Sequence, residues 1–136
     1  MNITSPITRV NLPTEMLFEL ASSCRNFARF LSDEVKDITA NEESCSFSVD
    51  NIAKITLKIL EKIPFTTIRY AMENDKNIPL FLTMYCTKIS DNETDIVIDM
   101  YIDIPLYLKP VLQKPLQRFI EAISEKIKTN AEKLGS

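Results

Sequence analysis

The chain has 136 residues, 45% of them hydrophobic and 26% charged, with one Gly, three Cys and neither His nor Trp. Such a length and apolar content suit a single domain over residues 1–136 with its own core, and exclude disorder or a need for a metal or disulfide staple. The absence of His removes the commonest general base, serine–histidine triads and the commonest metal ligand, while 16 basic against 19 acidic side chains, interspersed for a net charge of -3, leave no basic footprint for nucleic acid or an anionic surface.

The first segment, Asn2 to Asn11, carries Ile3, Ile7 and Val10 among Ser and Thr, with Pro6 inside it, and reads as an edge strand. Pro13 and Thr14 then start a helix on which Met16, Leu17, Leu20 and Ala21 share a stripe. After Ser22 and Ser23 a second short helix holds Phe27, Phe30 and Leu31, so the pair forms a bent hairpin.

From Val35 onward the period is two. Cys45, Phe47 and Val49 alternate with Ser46, Ser48 and Asp50, and Ile55, Leu57 and Ile59 with Lys54, Thr56 and Lys58. Ile68, Tyr70 and Met72 form a third such set, and Leu80, Leu82, Met84 and Cys86 a fourth. The last strand places Ile96, Ile98, Met100, Ile102 and Ile104 on one face and Asp95, Asp99 and Asp103 on the other. Breaks fall at Asn41 to Ser44, Asp50-Asn51, Asn74 to Asn77 and Asp91-Asn92, the spacing of an antiparallel meander. With Gly only at position 135, any turn needing a positive φ is expected to use Asn or Asp.

The third part runs from Pro105 to the end. Pro105, Pro110 and Pro115 predict a kinked approach, with the regular helix beginning near Pro115. Leu116, Phe119, Ile120, Ile123, Ile127, Ala131 and Leu134 then keep helical spacing, with Leu112 continuing the stripe backward. Arg118, Glu121, Glu125, Lys128 and Glu132 occupy the other face; its mixed sign argues against lipid headgroups. The one apolar surface large enough to receive the stripe is the concave side of the sheet.

The order is strand, two short helices, antiparallel strands and a long helix, an α+β arrangement. Three segments carry a resemblance: Leu12-Pro13-Thr14-Glu15-Met16-Leu17-Phe18 after the opening strand, Ser44-Cys45-Ser46-Phe47-Ser48-Val49, and Leu108-Lys109-Pro110-Val111-Leu112-Gln113-Lys114-Pro115-Leu116-Gln117. Over nearly its whole length the chain resembles the START-related helix-grip superfamily, also called SRPBCC, which includes birch pollen allergens and polyketide cyclase-like proteins; the last two segments look like a small uncharacterised bacterial subgroup. The resemblance implies a helix-grip fold, a curved antiparallel sheet of about seven strands wrapped around the C-terminal helix, with two short helices after strand one. It departs where pollen-allergen-like members have a Gly-rich loop: here that place holds Asn41-Glu42-Glu43-Ser44.

The resemblance also implies a cavity that takes lipids, polyketides or other apolar molecules. Combined with the strand phases, it nominates Phe47, Val49, Leu57, Ile59, Ile68, Tyr70, Leu82, Met84, Met100 and Ile102 from the sheet and Leu116, Phe119 and Ile123 from the helix, with Phe27 and Leu31 closing one end. The same side chains equally suit an ordinary packed core, and both alternatives stay open. The leading expectation is a module binding a small apolar or amphipathic molecule. The alternatives are a polyketide cyclase or dehydratase-like enzyme, for which Tyr70 is the one inward tyrosine, and a filled-core interaction protein using Val97, Tyr101, Phe81 and Tyr85 on the outer face.

No catalytic residue, cofactor or metal is assigned. Asp95, Asp99 and Asp103 are expected to look outward as solubilising charge. Cys24 at the start of the second helix, beside Arg25, is the one thiol with an argument for reactivity, against inert packing for it, Cys45 and Cys86. The lack of CxxC spacing, of a signal-peptide pattern and of a long apolar run predicts a cytoplasmic protein with reduced thiols and no membrane insertion; oligomeric state is not legible.

Overall fold

The structure, a computed structural model, describes residues 1–31, 33, 35–49 and 53–134, the side chain of Leu134 excepted. The expected turn at Asp50-Asn51 and the Leu134 end of the helical stripe lie outside the described residues. Eight antiparallel strands form one sheet: β1 (Asn2–Thr4), β2 (Thr8–Val10), β3 (Lys36–Ala40), β4 (Ser44–Val49), β5 (Ala53–Ile63), β6 (Thr67–Asn74), β7 (Leu80–Ser90) and β8 (Glu93–Ile102). Their order is β1-β8-β7-β6-β5-β4-β3, with β2 also on β8. Helices α1 (Thr14–Ala21) and α2 (Cys24–Leu31) follow β2, and α3 (Lys109–Leu134) closes the chain after a 3₁₀ turn at Leu106–Leu108. The sheet is open and curved, and register shifts between Ile59 and Glu61 and between Lys88 and Ser90 bend its two longest strands.

The meander forms where alternation predicts it. Phe47, Leu57, Ile68, Tyr70, Met72, Leu82, Met84, Ile96, Ile98 and Met100 are all buried, whereas Lys54, Lys58, Glu73 and Thr87 are exposed. Polar turn chemistry holds the breaks: the Asn41 side-chain oxygen accepts from the Glu43 and Ser44 amides, at 2.8 and 2.9 Å. Asn74 does the same for Lys76 and Ile78, while its amide donates to the carbonyls of Met72 and Ile78.

Four local expectations are corrected. The opening segment is two strands rather than one, so the expected sheet of about seven strands has eight among the described residues. Pro6 cannot donate to a ladder, so the chain leaves β8 there and returns one residue out of register, with Thr4 opposite Asp99 but Thr8 opposite Ile96. Ser5 covers the gap, its Oγ accepting from the Ile98 amide, and Ile7 points into solvent. On α1 the buried stripe is Thr14, Leu17, Phe18 and Ala21, and Met16 is exposed.

The long helix begins at Lys109, ahead of Pro115. Pro110 lies in the first turn, where its missing N–H has no partner to lose, and Pro115 is carried inside at the cost of one hydrogen bond to the Val111 carbonyl. Among the described residues positive φ occurs at Asn77, in a turn as expected, at Asp37, inside β3 where its register against β4 shifts, and at Phe65. There Ile63-Pro64-Phe65-Thr66 closes a turn with the Thr66 amide on the Ile63 carbonyl, a place usually given to Gly or Asn. Packing of the Phe65 ring edge-on against Phe18, with centroids 5.7 Å apart, helps to offset that strain.

The helices share the inner face of the sheet unequally. α3 packs on β1, β2 and β8, and α2 on β3, β4 and β5. An eight-residue helix is about 12 Å long and an 11-residue strand about 36 Å, so α2 covers only part of the strands beneath it.

Candidate functional site

At the end of the sheet that α2 does not reach, the first half of α3 stands over the strands and leaves a cleft of about 360 Å³. Its floor is Val49 of β4, Ala53 and Ile55 of β5, Met72 and Asn74 of β6, Leu80 of β7, and Met100 and Ile102 of β8. Leu112, Pro115, Leu116, Arg118 and Phe119 form the roof. Lys76 and Ile78 of the β6–β7 loop, with Ile104 and Leu108 after β8, complete the border. The wall is overwhelmingly aliphatic, of a size for a small ligand.

Of the nominated lining residues the structure brings Val49, Met100, Ile102, Leu116 and Phe119 together on this cleft. Phe27, Leu31, Phe47, Leu57, Ile68, Tyr70, Leu82, Met84 and Ile123 lie instead in the packed core, and Ile59 is half-buried against it; none of these ten borders the cleft. Alternation had marked the right face of each strand without saying how far along it the helices stop. Ile55, Met72 and Leu80 share the phase of Leu57, Tyr70 and Leu82, and would have been found by following each strand toward the turns at Asn74 and Pro105. Lys76 and Arg118 had no signal, because nothing local places a loop lysine and an outward helix arginine beside one hollow.

Tyr70 is fully buried away from the cleft. Its hydroxyl donates to the Ala21 carbonyl at 2.6 Å, and its ring lies 4.6 Å from that of Phe27, which meets Phe30 edge-on at 5.5 Å. Burial, with the Cys24 and Cys86 thiols nearby, pushes the phenol well above its ordinary value, so it stays protonated and holds α1 to the sheet. The polar inward candidate for cyclase-like proton transfer is thus a structural anchor.

The cysteines are free and buried. Burial raises all three thiols, Cys45 to about 11 and Cys86 to about 12. Arg25 does not activate Cys24: it pairs with Glu42 at 3.3 Å on the surface. The helix-start argument for a reactive thiolate fails because the sulfur is packed inside, where the neutral form is favoured.

The aspartate row faces outward. Asp95 pairs with Arg9, Asp99 accepts from the Thr4 hydroxyl at 2.8 Å, and Asp103 is exposed. Among the described residues no group of three Cys, Asp or Glu side chains is placed to hold a metal ion. On the same face Phe81 and Tyr101 are 6.4 Å apart, Arg69 stands 5.4 Å over Phe81, and Tyr85 is exposed. A second groove of about 410 Å³, bordered by Arg9, Glu121, Glu125 and Lys128, runs between β2 and the later part of α3. Lys128 crosses it, donating to the Arg9 carbonyl at 2.8 Å and to Glu132 at 2.9 Å, so part of its polar capacity is already engaged.

No family model matches the chain, and no curated protein matches it in sequence. Its fold is similar to TTHA0849 of Thermus thermophilus, at 17% identity and TM-score 0.74 over all of both chains. It is also similar to a START superfamily protein of Mycobacterium smegmatis, at 10% identity and TM-score 0.71 over 98% of each chain. A conserved protein of Geobacillus kaustophilus matches at 10% identity and TM-score 0.74, over 98% of this chain and 96% of that one. Identities this low carry the fold and not the activity. Among the described residues no helix is long and apolar enough to cross a membrane. The chain has the START-like helix-grip fold, its long helix gripping one part of the sheet and standing clear of another.

Proposed function

We propose that the protein binds a small apolar or amphipathic molecule, of lipid or polyketide-like character, in the cleft between β4–β8 and the first half of α3. The observation that carries this reading is the aliphatic hollow itself, since packed interiors leave few voids larger than a water molecule. Met72 and Met100 on its floor add adaptable surface, and the START-like fold supports a ligand-binding role. The free, buried thiols support a setting in the reducing interior of the cell.

Titration with Nile red, a neutral environment-sensitive dye, tests the reading. Saturable binding is expected, and filling the cleft by Leu116→Trp should remove it without unfolding the chain. Glu15→Gln, on the exposed side of α1, should leave binding unchanged. Dye binding that survives Leu116→Trp in a folded protein places the ligand elsewhere.

A further inference from the structure

The cleft has a charge asymmetry that runs against the balance of the whole molecule. The chain carries more acids than bases, yet among the 17 described residues that line the cleft the two charged ones, Lys76 and Arg118, are both cations. Elsewhere several cations are matched: Arg9 with Asp95, Arg25 with Glu42, Lys58 with Glu73, Lys88 with Asp91, Lys126 with Asp33 and Lys128 with Glu132. Neither Lys76 nor Arg118 has an ion-pair partner among the described residues.

On the helix side of the cleft the same sign prevails, while Asp75 and Asp103 adjoin lining residues on the sheet side. From Ile104 to Ile120 there is no Asp or Glu, while Lys109, Lys114 and Arg118 occur there; acids return at Glu121. The first turn of α3 therefore has no carboxylate to balance the positive end of its dipole, an arrangement that disfavours the helix unless an anion comes near. The remaining polar side chain on the wall is already satisfied. Asn74 donates both amide hydrogens, to Met72 O at 3.1 Å and Ile78 O at 2.8 Å, and its oxygen accepts from the amides of Lys76 and Ile78 at 3.2 and 3.1 Å. Among the described residues a neutral polar ligand would find no free side-chain amide or hydroxyl on these walls. An acidic head group would find an ammonium and a guanidinium at their edge.

Resting on the reading of the cleft as a binding site, we propose that its ligand is an anionic amphiphile, with an apolar tail lying on β5, β6 and β8 and an acid group met by Lys76 and Arg118. Carboxylate and phosphate share this chemistry, and competition against bound Nile red separates them from each other and from a neutral head. Decanoate, decyl phosphate and decanol are the probes, equal in tail and different in head. At least one of the two anions is expected to displace the dye about ten-fold better than decanol, an advantage that shrinks with added salt because both cations are solvent-exposed. In the Lys76→Gln, Arg118→Gln double variant that advantage should disappear while decanol competes as before; neither side chain is in the packed core, so the fold is retained.

Equal competition by all three probes, or an anion preference that persists in the double variant, overturns the proposal and leaves an apolar binding cleft in place. If dye binding also survives Leu116→Trp, the cleft reading itself fails along with it.

Discussion

The two ends of the same sheet face differ in how they are filled. Toward α1 and α2, Phe27, Phe30 and Tyr70 interlock at ring distances of 4.6 and 5.5 Å, and the Tyr70 hydroxyl is engaged by the Ala21 carbonyl. Under the first half of α3, the facing layers present Met72, Met100, Leu112 and Leu116, and a hollow remains. Apolar character is common to both ends. What differs is reach: at one end a short helix presses aromatic rings onto the strands, and at the other the side chains from helix and sheet are mostly aliphatic, with Phe119 only half-buried among them. The inner face of the sheet is therefore packed at one end and hollow at the other.

The largest test of that contrast inserts a charge at each end. Met84→Glu puts a carboxylate among packed neighbours with no partner, and a loss of several kcal/mol, enough to prevent folding, is expected in chemical denaturation. Met100 is almost as deeply buried, at 1% exposure, but borders the cleft, so Met100→Glu can turn its carboxylate toward the hollow and should give a folded but less stable protein that no longer binds Nile red. Equal damage from the two would mean that the hollow is as sealed as the core.

Truncation follows in size. Phe27→Ala should cost about 4 kcal/mol, because it removes a fully buried ring and leaves a cavity. Phe119 is only half-buried on the cleft wall, so Phe119→Ala should cost about 1 kcal/mol and show itself chiefly in weaker dye binding. A filled core would have predicted a loss near that of Phe27, and the two unfolding midpoints decide between these accounts.

Titration of the packed end is a smaller effect. Cys45 and Cys86 hold protons in the folded state up to about 11 and 12, above the ordinary thiol value. Their contribution to stability is complete below that ordinary value and falls as pH rises toward the folded values, because only the unfolded chain releases the proton in that window. At about pH 10 the loss should be of order 1 kcal/mol per thiol, and Cys86→Ala should flatten the alkaline limb of the stability curve. Below that range a thiol-specific reagent should react with the unfolded chain far faster than with the folded one.

The smallest change is Glu132→Gln. The Asn11 amide and then the Lys128 ammonium hold this carboxyl below its usual range, so its contribution is present above the ordinary Glu value and is lost as pH falls through the lowered one. Substitution should cost a few tenths of a kcal/mol and soften the acid limb, leaving dye binding intact.

Much of this was legible in the residue order. Alternation in β8, with Ile96, Ile98 and Met100 inward and Asp95 and Asp99 outward, specifies face and partner because a slip of one residue would bury the acids. The stripe Ile120, Ile123, Ile127 and Ala131 specifies a long helix with one buried side, and the Asn turns have their own hydrogen-bond logic. These are short-range properties of the chain. Other features are settled only when distant segments meet. Phe65 accepts a positive φ with Phe18 beside it, and Pro115 continues a helix that its own N–H cannot support. Whether Tyr70 or Met72, two residues apart on one face, borders a hollow depends on where α2 ends above them. Periodicity gives each side chain a direction; the extent of the covering helices decides whether it meets another side chain or space.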